Sequence, residues 1–350
     1  GSIDLTGLTD LTGLAVSDRA EERVRGAASV SVIVPTIDGP SAAVRCVKAL
    51  LDTGYPDLEV VVVDNRPDPA NAVQWQALTS SDPRIRLVSE SRPGVSYARN
   101  AGVAAARGEL VAFVDDDIEV DHGWLDTLTA ELGDGTVDCA TSLVLPATLD
   151  TEAQRLFERM KGFGQGFQRR VFAPQLAEHD PGYVFTPGRF GPGGCALWRR
   201  SAFLRLGGFD TRLGGGTPAL AGEDLHLFLR LARSGGTVVY SPDAIAWHHH
   251  SVSWPQVRGR IRGYGTGLSA VYLLHLVQRP DDLTRLARIL PGRAWQVVFG
   301  AAARRGAETV ERADARHRIP RRLVADQLIG VCQGPLALIR SARRAHRLST

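Results

Sequence analysis

The 350-residue chain is poor in lysine: Lys48 and Lys161 stand against 39 arginines, a skew of a GC-rich genome rather than of nucleic-acid recognition. It has one methionine and four cysteines, Cys46, Cys139, Cys195 and Cys332, with no CxxC pair. That excludes a zinc ribbon or thioredoxin-type motif and fits reduced, buried thiols. No apolar run reaches about 18 residues, which argues against a transmembrane helix. Residues 1–29 lack the basic-then-apolar pattern of a signal peptide, so the expected location is the cytoplasm. No P-loop and no GxGxxG stands at a strand–helix junction, which removes support for P-loop NTPases and Rossmann dehydrogenases.

What is present is an ordinary globular composition, 44% hydrophobic and 23% charged, incompatible with disorder, collagen or coiled coil over most of the length. The net charge of +3 hides an asymmetry: residues 281–350 carry 14 Arg against 6 acids, and the rest carries 27 basic against 32 acidic residues. A body with that acidic balance lacks the footprint of a nucleic-acid binder.

Four segments follow along the chain. Residues 1–29, with the repeat LTGLTDLTGL, read as an arm or linker. Residues 30–120 alternate strand and helix: SVIVPT, a helix from Ser41, LEVVVVDN, RIRLVSE, an Ala-rich helix over 95–107, and ELVAFVDDD. This spacing predicts βαβ units in an open, mostly parallel α/β sheet. Residues 121–280 are less regular and contain a Gly-, Pro- and aromatic-rich stretch at 162–194, which is expected to be a functional loop or lid near an acceptor. Its Phe163, Phe167, Tyr183 and Phe190 are candidates to stack on a sugar. GEDLHLFLRLARSGG at 222–236 is a helix with Leu225, Phe228, Leu229 and Ala232 on one face. Residues 281–350 form a basic amphipathic helical tail, suited to packing on the body, to a dimer contact, or to an anionic membrane surface.

The chemistry concentrates at strand ends, where open α/β sheets bind ligands. Pro35-Thr36, Asp64-Asn65 and Asp115-Asp116-Asp117 all stand there. Three adjacent carboxylates repel one another and serve no neutral core. Strand alternation would put Asp115 and Asp117 on one face, a pair suited to Mg²⁺ or Mn²⁺, with a solvated acidic turn as the plain alternative. In His248-His249-His250, alternation sends His248 and His250 to one side; such runs are also common at surface edges. Glu223 and Asp224 open a helix, where acids favour the dipole, and Asp224 is also placed to act as a general base. Arg99 either faces solvent or meets a phosphate. Gly193, Gly194 and Trp198, in GRFGPGGCALW, are candidates for the acceptor side.

The order of motifs, a strand ending VPT, VVVDN, GVSYARNAG, VAFVDDD, GGCALWRRSAFLRLGGFD, GEDLHLFLRLARSGG and WHHH, resembles the family 2 glycosyltransferases of the GT-A fold over about residues 30–280. The resemblance implies transfer of a hexosyl or N-acetylhexosaminyl group, with inversion, from a nucleotide-diphosphate sugar, a UDP-sugar favoured, to an acceptor hydroxyl in glycan or glycoconjugate synthesis. It implies that Pro35, Thr36, Asp64 and Asn65 line the nucleoside pocket, with Asp64 on the base, and that Arg99 lies near the diphosphate. Asp115 and Asp116 fall on the donor side. Asp115, Asp117 and His248 match the metal ligands, for Mn²⁺ or Mg²⁺. Asp224, beside Glu223, matches the catalytic aspartate. Two other classes remain to be separated from it: a nucleotidyl or sugar-phosphate transferase, in which Asp224 has no task, and a non-catalytic nucleotide-sugar binder.

Overall fold

The computed structural model describes residues 27–133, 135–250, 253–299 and 320–349. The arm at 1–26 and tail residues 300–319 lie outside the described residues. In chain order the elements are β1 (Val30–Thr36), α1 (Pro40–Asp52), β2 (Leu58–Asp64), α2 (Ala72–Ser81), β3 (Ile85–Ser89), α3 (Val95–Ala105), β4 (Leu110–Val114), β5 (Ile118–Val120) and α4 (Trp124–Leu132). They continue with β6 (Cys139–Pro146), α5 (Glu152–Lys161), β7 (Arg170–Phe172), β8 (Cys195–Arg199), α6 (Arg200–Arg205), α7 (Glu223–Arg233), β9 (Val238–His248), α8 (Trp254–Gln278), α9 (Leu283–Phe299) and α10 (Arg321–Ser349).

One nine-stranded sheet runs in the order β3-β2-β1-β4-β8-β6-β9-β5, with β7 on β9. The β3-β2-β1-β4 portion is parallel, as strand–helix alternation requires. Beyond it β8 runs antiparallel to β4 and β6, so the second half is mixed. The β-branched runs of β1 and β2 are buried on both faces. Val30, Val32, Val34, Val60 and Val62 belong to one apolar layer and Ile33, Val61 and Val63 to the other, as strand alternation dictates. TVVYSP and AIAWH are one strand, β9, kinked where its register with β6 shifts between Ser142 and Leu143.

The stretch at 162–194 is held rather than loose. β7 pairs with β9, and Tyr183, Phe185 and Phe190 are buried in the second apolar layer. Tyr183 and Phe190 are therefore core residues and do not present a face to a sugar. Cys46, Cys139 and Cys195 are buried free thiols, but Cys332 on α10 is exposed, contrary to the expectation for all four.

The tail packs on the body. α8 and α10 lie against each other with glycines at the crossing: a Cβ on Gly265 would stand 2.2 Å from the Gln327 carbonyl oxygen, and one on Gly330 would stand 2.1 Å from that of Arg262. Arg258 and Arg262 both donate to Asp326, whose carboxyl they hold below its ordinary range. At the far end Arg344 donates to the carbonyls of Gly216 and Pro93, and Ser341 accepts from the Ala219 amide. Gly330→Leu is expected to destabilise the protein by about 1–3 kcal/mol, because backbone on the facing helix must move. An unchanged thermal midpoint would mean that α10 is not seated there.

Candidate active site

A cleft of about 1000 Å³ opens at the carboxyl ends of β1, β2 and β4, and its wall includes the N-terminus of α7. Ten residues singled out in the sequence line it together: Pro35, Thr36, Asn65, Arg99, Asp115, Asp116, Asp117, Glu223, Asp224 and His248. Gly193 and Gly194 join them.

β4 ends at Val114, so the three aspartates occupy the turn into β5. Strand alternation therefore does not govern them, and all three reach the cleft. Burial pushes Asp116 up to about 6, against a hydrogen bond from Thr36 that lowers it. Asp117 is also buried, but the hydrogen bond and charge of His248, with Arg260 behind it, hold its carboxyl down at about 2. His248 Nε2 lies 3.2 Å and Arg260 Nη2 3.5 Å from Asp117 Oδ2. The His249 amide donates to the Asp117 carbonyl, tying this turn to the end of β9.

Arg99 is 3% exposed and bridges the two halves of the site. Its Nη2 donates to Asp115 Oδ1 at 2.5 Å and its Nη1 to Glu223 Oε1 at 2.8 Å. Both ends of the fork meet carboxylates, so Arg99 is buried on the cleft wall rather than facing solvent, with its Nε left without a partner. It holds Glu223 Oε1, whereas Asp224, which also lines the cleft, makes no hydrogen bond to it.

Gly222, at φ 96° in the left-handed region, turns the chain into α7. Asp224 then accepts from the Leu225 amide at 2.7 Å and the Gly193 amide at 3.3 Å. Burial raises Asp224 and Glu223 above their ordinary range, Arg99 opposing in both cases. Gly193 and Gly194 owe their identity to these acids. A Cβ on Gly193 would lie 2.2 Å from Asp224 Cβ, and one on Gly194 would lie 2.3 Å from Asp115 Oδ2. Leu220, with φ 67°, is the one non-glycine residue among the described residues held in the left-handed region, three residues before Glu223 on the cleft wall.

Two expected residues are elsewhere. Asp64 is buried outside the cleft lining; Trp75 Nε1 donates to its Oδ2 and the Arg66 amide to its Oδ1. The indole arrives from α2, which no sequence motif marked. Trp198 sits on β8 in the apolar layer, stacked on Phe228 at 5.4 Å between centroids. Odd positions of β8 face the opposite layer, so Trp198 cannot turn to an acceptor. Asn65 reaches the cleft, but its amide is engaged with the Glu90 and Arg92 carbonyls and the Gly94 amide, shaping the loop into α3.

The cleft also holds residues that sequence reasoning passed over: Lys161, Arg260 and Tyr264. Burial lowers the Lys161 ammonium to about 8 and raises the Tyr264 hydroxyl to about 12. The signal available was the i, i+4 pair Arg260 and Tyr264 on one helix face. It was masked by the glycines of RGRIRGYGTG and lay beyond WHHH, where the motifs end.

No three His, Cys, Asp or Glu side chains converge into a ready-made metal cage among the described residues. Asp117 and His248 instead place a carboxylate oxygen and an imidazole nitrogen 3.2 Å apart on the cleft wall. Two protein ligands suit a divalent cation that a diphosphate completes.

Residues 31–207 match the profile of Glycosyl transferase family 2. The chain belongs to glycosyltransferase family 2. Among its relatives, the O-antigen biosynthesis protein RfbC of Myxococcus xanthus is 32% identical over 254 residues, 67% of this chain and 18% of that protein. The pre-mycofactocin glycosyltransferase of Mycobacterium tuberculosis strain H37Rv is 27% identical over 247 residues, 70% of this chain and 48% of that one. This chain thus spans less than half the length of either. A mannosyltransferase from Pyrobaculum calidifontis, solved with GDP-Man and Mn²⁺, superposes with a TM-score of 0.51 at 18% identity, covering 96% of this chain and 82% of its own. The fold is that of the GT-A glycosyltransferases. In this family 2 chain the profile match ends before Glu223, Asp224 and His248. Their place in the site rests on the shared cleft.

Proposed function

We propose that the chain transfers a sugar from a nucleoside-diphosphate sugar to an acceptor hydroxyl by a single displacement that inverts the anomeric carbon. The observation that carries this is the placement of Asp224 and the Asp117–His248 pair on one cleft. Asp224 takes the proton of the attacking hydroxyl. Its raised affinity for protons makes it a better base than an exposed aspartate, and the backbone amides of Gly193 and Leu225 fix its orientation. A retaining double displacement would need a second carboxylate as nucleophile, and Asp224 is the one assigned a role at the acceptor.

Asp117 and His248 would hold Mn²⁺ or Mg²⁺, which supplies Lewis-acid stabilisation of the departing diphosphate. Arg260 adds fixed positive charge beside Asp117. The similar mannosyltransferase carries GDP-Man and Mn²⁺ together, which supports a nucleotide sugar and a divalent cation as joint ligands. A thermal-shift panel of UDP-, GDP- and dTDP-sugars, each with Mn²⁺, tests the donor. A true donor raises the midpoint by mass action, and no shift with any of them contradicts the proposal.

A second observation supports contact with an anionic membrane during transfer to a lipid-linked acceptor. The outer face of α10 exposes Leu328, Ile329, Leu336 and Ile339, with Arg321 and Arg322 before them and Arg340, Arg343 and Arg347 after. Arginines bordering an apolar stripe suit an anionic bilayer surface, each contributing about 1 kcal/mol. The protein is expected to sediment with anionic liposomes at low salt, and Leu336→Glu with Ile339→Glu should release it. Protein that stays in the supernatant leaves the tail a purely structural element.

A further inference from the structure

His250 is 5% exposed and lies beyond the end of β9, behind His248 as seen from Asp117. Phe157 stands edge-on to it at 4.9 Å between centroids, and Phe163 stands at the same distance from His248. In this apolar box three polar groups form a chain. Glu158 Oε2, on α5, lies 3.0 Å from His250 Nε2, and His250 Nδ1 lies 2.5 Å from His248 Nδ1. His248 Nε2 then faces Asp117 Oδ2 at 3.2 Å. His249 points the other way, to Glu119.

Proton counting orders this chain. A carboxylate only accepts, so the His250 proton sits on Nε2 and is donated to Glu158. With His250 taken as the uncharged imidazole, as it must be when a cation occupies His248 Nε2, its Nδ1 is bare. That nitrogen can only accept, so the proton between the two rings belongs to His248 Nδ1. His248 is left with Nε2 as its free valence, aimed at Asp117, and the gap between them takes either a proton or a cation.

We propose that Glu158 and His250 are positioning residues that fix the ring proton of His248 on Nδ1 and so present a bare Nε2 to the cation. Of the three consecutive histidines, His248 is then the ligand, His250 its orienting partner, and His249 no part of the site. Outer partners of this kind decide the tautomer and direction of a metal-bound imidazole. The inference rests on the reading of Asp117 and His248 as cation ligands.

Two measurements on the full chain separate the inference from that reading. Long-range ¹H–¹⁵N correlation on the metal-free protein reports which ring nitrogens carry protons. The expected pattern is a protonated Nδ1 on His248 and a bare Nδ1 on His250, lost in Glu158→Leu and kept in Glu158→Gln, whose amide oxygen still accepts. A bare Nδ1 on His248 in the unsubstituted protein overturns the proposal, whatever the metal does. Binding of Mn²⁺ alone, followed by the EPR signal of the free ion, should weaken about 10–100-fold in Glu158→Leu and remain near its original value in Glu158→Gln. His250→Phe, which matches its aromatic surroundings, should weaken Mn²⁺ similarly and covers the case in which Glu158→Leu does not fold. Tight Mn²⁺ binding that neither Glu158→Leu nor His250→Phe alters overturns the proposal and leaves the metal site standing. No Mn²⁺ binding to the unsubstituted protein, with the expected proton pattern present, overturns the metal reading instead.

Discussion

Asp224→Asn is expected to lower turnover by roughly 10²–10⁴-fold while leaving nucleotide affinity intact, the usual range for loss of a general base. Asparagine keeps the shape and an oxygen for the Leu225 amide at 2.7 Å, giving up only the longer bond from the Gly193 amide at 3.3 Å, so the N-terminus of α7 should hold its place. What it loses is the capacity to take a proton from the acceptor hydroxyl. The pH profile carries the same information. The base works only when deprotonated, so kcat/KM should climb with pH through a value above that of an ordinary aspartate and then level off. The direction follows from burial, which raises Asp224. Glu223→Gln should act differently. It removes one carboxylate from Arg99, leaving that buried cation paired with Asp115, and so should affect stability more than the steepness of the pH profile. If Glu223→Gln abolished turnover and Asp224→Asn did not, Glu223 would be the base.

The second large effect belongs to Asp117. Asp117→Ala should cost at least about 100-fold in rate and a comparable factor in Mn²⁺ affinity. It removes the carboxylate that faces both His248 and Arg260, leaving like-charged or unpaired groups on the wall of the cleft. Donor affinity should fall with it, as the proposed joint binding of diphosphate and cation requires. Full activity in excess EDTA would sink the metal assignment, and so would an Asp117→Ala protein with unchanged Mn²⁺ titration.

Much of this site was legible because its residues stand at places that sequence patterns mark. Short apolar runs located β1, β2 and β4, and the polar residues ending them fell on one edge of one sheet, where Thr36, Asn65 and the three aspartates now meet. The acids opening α7 were equally visible. Long-range pairing was not. Nothing in the order of residues says that Arg99 would be drawn between Asp115 and Glu223, 16 and 124 positions away. Nor does it say that the indole of Trp75 would donate to Asp64. Trp198 was grouped with Gly193 and Gly194 on the acceptor side, whereas β8 fills an antiparallel position between β4 and β6 and buries it. Arg260 and Tyr264 were hidden for the opposite reason: the glycines that seat α8 against α10 broke the periodicity that would have marked a helix.

The most direct test of the central claim is a combined ¹H and ³¹P NMR time course of a bound donor with the protein and Mn²⁺, water or a simple sugar serving as acceptor. The account predicts release of the nucleoside diphosphate, with the first-formed sugar product carrying the anomeric configuration opposite to the donor's. Pyrophosphate or a nucleoside monophosphate as the phosphorus product would make the chain a nucleotidyl or sugar-phosphate transferase, and a retained anomer would remove Asp224 from the role of sole base.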